Sequence, residues 1–487
     1  MKKIILSSIL LLVIFQFIFL QTSYAKVDFD QELFKSLAQN KNKVPKIKIP
    51  NYKRVELENG MVVYLIEDHK LPIIEINAYI KGGRSQENRE FAGISEFMLE
   101  MMNTGTKNFN EQEFSNFKEV NGIDFNFGTN NDYLSVSANS LSVDKEELIF
   151  LLAEVLKTPK FDRSYFKRIK QETYRALTQA KMQEDALLDM YYYKEIYNNH
   201  PYSFTYNVDL RLKALNNISP KSLEKFYNSN IAPNNTILGI VGDIDVDKME
   251  EILKLYFNSW QKKDIKIKEV QVKSNSDNYG EVILVNKSDA TQAKIKMGYN
   301  FFNNDFKDKV PFTIANRVYG GGDFSSRLMK NLRVDKGYVY GIYAHDSYSQ
   351  LGGDYYITTE VKADKVYQTM QEIKKEMLAI KEGKRKIKKG ELFEIVNLYN
   401  AFYPKAYSSK IKVINQLMYN VEIMNREVDY INDFIEEYNS LSQKEVQKVF
   451  SKYSYPNKFI TVIVGRKEEI LPIFKEKDID IKVIESN

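Results

Sequence analysis

The sequence contains no cysteine at all, only three histidines and a single tryptophan. Without cysteine there is no disulfide scaffold, thiol nucleophile, iron–sulfur cluster, c-type haem attachment or cysteine zinc site. His69, His200 and His345 are scattered, none within a turn or two of another, so a local histidine metal motif is absent as well. A histidine with no ligand partner nearby in sequence is usually structural. His69 falls in a turn and His345 in an apparent strand. Excess charge of one sign is also missing: 70 Lys and Arg face 65 Asp and Glu, a formal +5, which calls for no nucleic-acid partner. With 21 Gly, 11 Pro, 43% hydrophobic and 13% aromatic residues, collagen-like, low-complexity and wholly disordered chains are excluded. At ~150 residues per domain, 487 residues predict about three compact domains or two larger ones.

Long apolar runs are limited to Ile4–Leu20, which follows Lys2 and Lys3 and precedes Ser23-Tyr24-Ala25. Small residues at positions −3 and −1 of a cut make 1–25 a cleaved secretory signal; an uncleaved anchor competes, because the run is near the ~17-residue lower limit for a span. No second such run follows. The expectation is secretion across the inner membrane into a periplasm, with no stable membrane insertion after cleavage.

Two segments repeat each other at an offset of 223 residues. Ile218-Ser219-Pro220, Tyr227 and Pro233-Asn234 through Ile240-Val241-Gly242 correspond to Leu441-Ser442-Gln443, Phe450 and Pro456-Asn457 through Ile463-Val464-Gly465. Each reads as a helix, a Pro-Asn turn and a buried apolar strand closed by Gly. The chain is therefore read as a tandem duplication: an amino-terminal domain at 45–261, a Lys-, Ser-, Asn- and Asp-rich linker at 262–278, and a carboxy-terminal domain at 279–487. Within the first half, Met61–Glu67 and Ile73–Ile80 are predicted as paired strands, and 124–129 and 133–138 alternate like strands. Ile94, Phe97, Met98, Met101 and Met102 mark one apolar helix face, and 145–156 and 163–190 read as helices. The predicted class is α+β, each half a sheet with helices packed on one face.

The chain resembles the insulinase/pitrilysin-type zinc peptidases, which include the mitochondrial processing peptidase. Leu57-Glu58-Asn59-Gly60, Lys81-Gly82-Gly83, the helix opening at Gly93, Thr104-Gly105-Thr106, His200-Pro201-Tyr202, Ala232-Pro233-Asn234 and Val241-Gly242-Asp243 carry the likeness in the first half. Gly320-Gly321-Gly322, Ser325-Ser326-Arg327-Leu328, Leu332-Arg333 and Lys336-Gly337-Tyr338-Val339-Tyr340 carry it in the second. The resemblance implies a His-x-x-Glu-His zinc motif at residues 96–100, where this chain has Glu96-Phe97-Met98-Leu99-Glu100. Both imidazoles are replaced by carboxylates and the general base by leucine. A third family ligand aligns with Glu172, and the supporting acid upstream is Tyr165. Carboxylates alone are hard ligands suited to calcium or magnesium rather than zinc, and Leu99 can neither take nor give a proton. The plain reading of Glu96 and Glu100 is a solvated helix face with no metal, and His200 fixes a loop.

The resemblance further implies that Arg333 and Tyr340 are the family's arginine–tyrosine pair, which suits a developing oxyanion. Gly320, Gly321 and Gly322 form a glycine-rich loop linked to substrate handling; read without the family, they are a flexible turn before a helix. The edge strand containing Asn126 and Thr129 is where the family lays peptide. These features imply the non-catalytic subunit of a periplasmic heterodimeric zinc peptidase, holding no cofactor itself, paired with a zinc-bearing homologous subunit and acting on peptides in trans. Two alternatives stand beside it: a stand-alone peptide-binding or scaffold protein, and a hydrolase with a carboxylate metal site at Glu96, Glu100 and Glu172.

Overall fold

The computed structural model describes residues 44–273, 276–322 and 324–486. The signal expected over 1–25 lies outside them. Among the described residues no helix is long and apolar enough to cross a membrane.

The first half builds a sheet from β1 (Lys53–Glu56), β2 (Val62–Glu67), β3 (Ile73–Lys81), β4 (Asp124–Thr129), β5 (Tyr133–Leu141) and β6 (Thr236–Gly242), in the order β1-β2-β6-β3-β5-β4. The second uses β7 (Val282–Asn286), β8 (Ala293–Phe301), β9 (Val339–Ser349), β10 (Gly352–Val361), β11 (Ile460–Gly465) and β12 (Lys482–Glu485), in the order β12-β7-β11-β8-β10-β9. The repeated segments occupy equivalent places. Pro220–Asn230 and Gln443–Tyr453 are helices, each followed through a Pro-Asn turn by the strand inserted at the same point of its sheet, β6 or β11.

That insertion corrects one expectation. β2 and β3 are not paired: β6 lies between them, parallel to β2 and antiparallel to β3. All seven residues of β6 are buried, and a strand with no polar residue to show solvent belongs in the middle of a sheet, whatever the shortness of the turn joining its neighbours. Two smaller differences follow from local chemistry. The helix expected over 163–190 is two, Arg163–Ala180 and Glu184–Tyr197; the second begins after Gln183 with Glu184 and Asp185 in its first turn, where acids suit the helix dipole. β5 extends to Leu141, paired with Ile73.

Each half packs its own helices on one face of its sheet, as expected. In the first half, Ile94–Met102, Lys145–Lys157, Pro220–Asn230 and Val246–Phe257 bury Phe97, Met98, Leu99, Met101, Leu152, Leu223 and Leu253 beneath β2, β3, β5 and β6. The opposite faces are covered by exchange. The helix Glu184–Tyr197 packs on β8 and β11 of the second sheet, and Lys410–Leu417, its counterpart in the repeat, packs on β6 and β3 of the first. Pro45–Asn487 consequently forms one compact unit. Residues 261–273, between the halves, run without regular structure but are fixed: Lys268 exchanges backbone–side-chain hydrogen bonds with Gln86, and Val272 N–H donates to Leu351. His200 lies on this segment, its Nε2 2.6 Å from the Val270 carbonyl while Nδ1 accepts from Tyr202 N–H.

Candidate functional site

Glu87, a residue the sequence reading passed over, sets the start of the helix Ile94–Met102. Its buried carboxylate accepts from Gly93 N–H (2.7 Å), Ser95 N–H (3.2 Å) and the Ser95 hydroxyl, satisfying donors that a helix N-terminus leaves open. Burial pushes the Glu87 carboxyl upward, and these hydrogen bonds oppose the shift. Gly93 sits at φ +86°, and a Cβ there would come within 2.9 Å of the Arg211 guanidinium. Arg211 in turn reaches Glu96 at 2.7 Å.

Down this helix, Glu96 and Glu100 face solvent while Leu99 is 1% exposed and belongs to the first-half core. Glu96, Leu99 and Glu100 line a cleft of about 420 Å³ with Phe127, Gly128 and Thr129 of β4, Thr205, Arg211 and Arg84. Glu172 is outside it. Exposed on the helix Arg163–Ala180, it faces Arg168 at 3.5 Å, and Tyr165 accepts from the backbone of Glu111. Among the described residues no three His, Asp or Glu are grouped so as to hold a metal ion. The donor set does not fit zinc: there is no imidazole, one carboxylate is committed to Arg211, and an aliphatic side chain stands where a base is needed.

β4 pairs with β5 on one side and with no other strand among the described residues. Asn126 is exposed on this edge strand, with its carbonyl turned to the Ser137 hydroxyl, and Thr129 reaches the cleft. Arg84 is the second residue the sequence reading missed, although the glycines that position it were noted. Gly82 and Gly83 adopt φ +109° and +51°, and a Cβ on Gly83 would fall 2.4 Å from the Asn130 carbonyl. This close approach lets Gly82, Arg84 and Ser85 N–H donate to the carbonyls of Asp132, Asn130 and Asn131, the turn that ends β4.

Arg333 and Tyr340 lie in the second half, and neither lines the cleft. The Arg333 guanidinium stacks 4.4 Å from the Phe324 ring centroid and 4.9 Å from that of Tyr340. Tyr340 is 84% exposed and Phe324 64%. The glycine run is not an open turn before a helix. It closes a π-helical turn, Arg317–Gly321, continuous with the helix Lys309–Asn316. A Cβ at Gly320 would meet Leu328 at 2.7 Å and Ala344 of β9 at 3.0 Å, and at Gly321 the Ala344 carbonyl at 2.8 Å, so Leu328 and β9 fill the space the missing side chains leave. Arg327, 5% exposed, anchors the following turn through Glu391 at 2.8 Å and the carbonyls of Arg385 and Lys386.

Two mixed sheets related by duplication, with a zinc-peptidase motif position preserved in place and emptied of its ligands, define an inactive peptidase homologue. The chain belongs to peptidase family M16, the insulinase family: residues 62–206 match its peptidase domain and 217–399 the M16 inactive domain. Among its relatives are the non-peptidase homolog YmxG of Helicobacter pylori, 24% identical over 77% of this chain and 88% of that protein, and the zinc protease PqqE of the same organism, 25% identical over 71% and 76%. Of solved structures, an M16 inactive domain from Pseudomonas fluorescens superposes with a TM-score of 0.77 at 22% identity, covering 85% of this chain and 98% of that one. A Helicobacter pylori protease gives 0.77 at 21% identity, covering 86% and 100%.

Proposed function

We propose that this chain is the non-catalytic subunit of a periplasmic two-chain M16 peptidase, presenting peptide on β4 to a zinc-bearing homologue and supplying Arg333 and Tyr340 to that partner's site. The observation that carries the reading is the contrast between two places: Leu99 is packed into the core where a base would stand, while Arg333 is held between two exposed aromatic rings with no ion pair among the described residues. An arginine stacked in this way keeps its planar N–H fork free and pre-aimed, which suits charge that develops only in a transition state. That Helicobacter pylori holds both a non-peptidase homolog and a zinc protease among the relatives is consistent with a pair of chains. Affinity purification from the native periplasm, with mass spectrometry and metal analysis, tests the reading. A His-x-x-Glu-His homologue should co-purify and carry the zinc; a chain recovered alone would favour the stand-alone binding protein, and one zinc per isolated chain with chelator-sensitive cleavage would favour the carboxylate-site hydrolase.

A further inference from the structure

The side chain of Arg84 makes no hydrogen bond or ion pair among the described residues. It lines two clefts at once: the one over Glu96, Leu99 and Glu100, and another of about 450 Å³ on the seam between the halves, walled by Tyr133, Tyr206, Asn130, Asn415 and Tyr419. The two clefts therefore meet at Arg84. The Gly82-Gly83 clamp fixes its backbone against the turn that follows Thr129, so the guanidinium stands where the open edge of β4 runs out. Three acids line these clefts with Arg84: Glu96 pairs with Arg211, Asp132 accepts from the Tyr202 hydroxyl and Gln350 N–H, and Glu100 faces solvent, and none of them forms an ion pair with Arg84 among the described residues. A polypeptide pairing with the outer edge of β4 has its backbone groups met by the strand; as it passes Thr129 it meets a free, planar cation flanked by amide and tyrosine side chains.

We propose that Arg84 is a carboxylate-binding site that fixes the register of peptides on β4, selecting those with a carboxylate one or two residues past Thr129. This rests on the reading of β4 as a peptide-binding edge. The carboxylate has two sources, the peptide's own C-terminus or an Asp or Glu side chain. A charge-assisted, bidentate pair is the strong form of hydrogen bond, so the expected effect is a roughly ten- to hundredfold loss of affinity.

Fluorescence anisotropy of labelled eight- to ten-residue peptides on the purified chain tests this. Each sequence is made with a free or an amidated C-terminus and with its acids as Asp/Glu or Asn/Gln. On the wild type, carboxylate-bearing peptides should bind at least tenfold more tightly than their neutral versions; loss on amidation identifies the C-terminus as the source, and loss on Asn/Gln replacement the side chain. Arg84→Gln should abolish that difference while leaving the neutral peptides' affinity unchanged, and Arg84→Lys should restore part of it. Equal binding of charged and neutral peptides, or a preference that survives in Arg84→Gln, would overturn the proposal and leave peptide binding intact. Failure of every peptide to bind the wild type would overturn both. An Arg84→Gln protein that loses neutral peptides as well assigns Arg84 to the fold and counts against the site.

Discussion

Leu99 and Arg333 show how far single residues divide the work. Leu99 is buried among Phe97, Met98 and Met102 at the position from which a family peptidase would activate water. Its contribution is packing, so Leu99→Ala should lower unfolding stability by about 2–4 kcal/mol, as core leucine truncations do, while the partner's kcat per assembled complex stays unchanged. Urea unfolding and complex-normalised turnover check the two halves of that expectation. Arg333 is the converse case. It touches Phe324 and Tyr340 on the surface, so Arg333→Ala and Tyr340→Phe should leave stability and assembly near wild type and reduce the partner's kcat, on the order of a hundredfold for loss of one donor. An assembled double variant with unchanged kcat would refute catalysis in trans. The replacement of the zinc ligands was legible in the sequence because it falls within one short motif. Arg84 and Arg211 were not, because an arginine has no signature until the fold shows what stands beside it.

At the scale of elements, the exchanged helices decide how the halves hold together. Tyr192 of the helix Glu184–Tyr197 is fully buried against the second sheet at Gly298 of β8. A Cβ on Gly298 would lie 2.1 Å from the Tyr192 hydroxyl and 2.3 Å from the Tyr355 carbonyl, and backbone cannot yield as a side-chain tip can. Gly298→Ala should therefore cost about 1–3 kcal/mol by overpacking and loosen this helix selectively, seen as faster hydrogen exchange over 184–197 than over 410–417. Uniform exchange across both would mean that the helix does not depend on that contact. The strands and helices themselves could be read from periodicity. Their pairing could not: the separation of β2 and β3 by β6 comes from a strand more than 150 residues downstream, roughly a domain's length, whose burial outranks the short turn.

Across the whole molecule, the seam between the halves contains charge. Lys296 of β8, 4% exposed, sits 4.0–4.8 Å from the ring centroids of Tyr356, Tyr193 and Tyr192 and pairs with Asp189 at 2.7 Å. Beside it the Asp354 carboxyl, 2% exposed, accepts from the Tyr197 hydroxyl at 2.9 Å. Burial pushes its pKa from 3.8 up to about 6, opposed by Lys296. A carboxyl whose folded pKa is raised binds its proton more tightly folded than unfolded. Its contribution to stability is therefore greatest below about pH 4, falls as pH rises to about 6, and is level above, a total of about 3 kcal/mol. Asp354→Asn cannot ionise. The variant should gain stability relative to wild type across that window and hold the gain at neutral pH, measured as the difference in urea midpoints from pH 4 to 7.5. A difference that does not vary with pH would show that Asp354 stays charged when buried.

The sequence by itself determined the duplication, the α+β class and the absence of a His-x-x-Glu-His motif, because each is written in neighbouring residues at fixed spacing. Only the tertiary structure decided that β6 and β11 enter the middle of their sheets, that each sheet is covered by the other half's helix, that the glycine run packs against β9, and that Arg84 stands free where β4 ends. Those outcomes depend on burial shared between residues hundreds of positions apart, and no local pattern records which distant apolar face or unpaired charge a residue will meet.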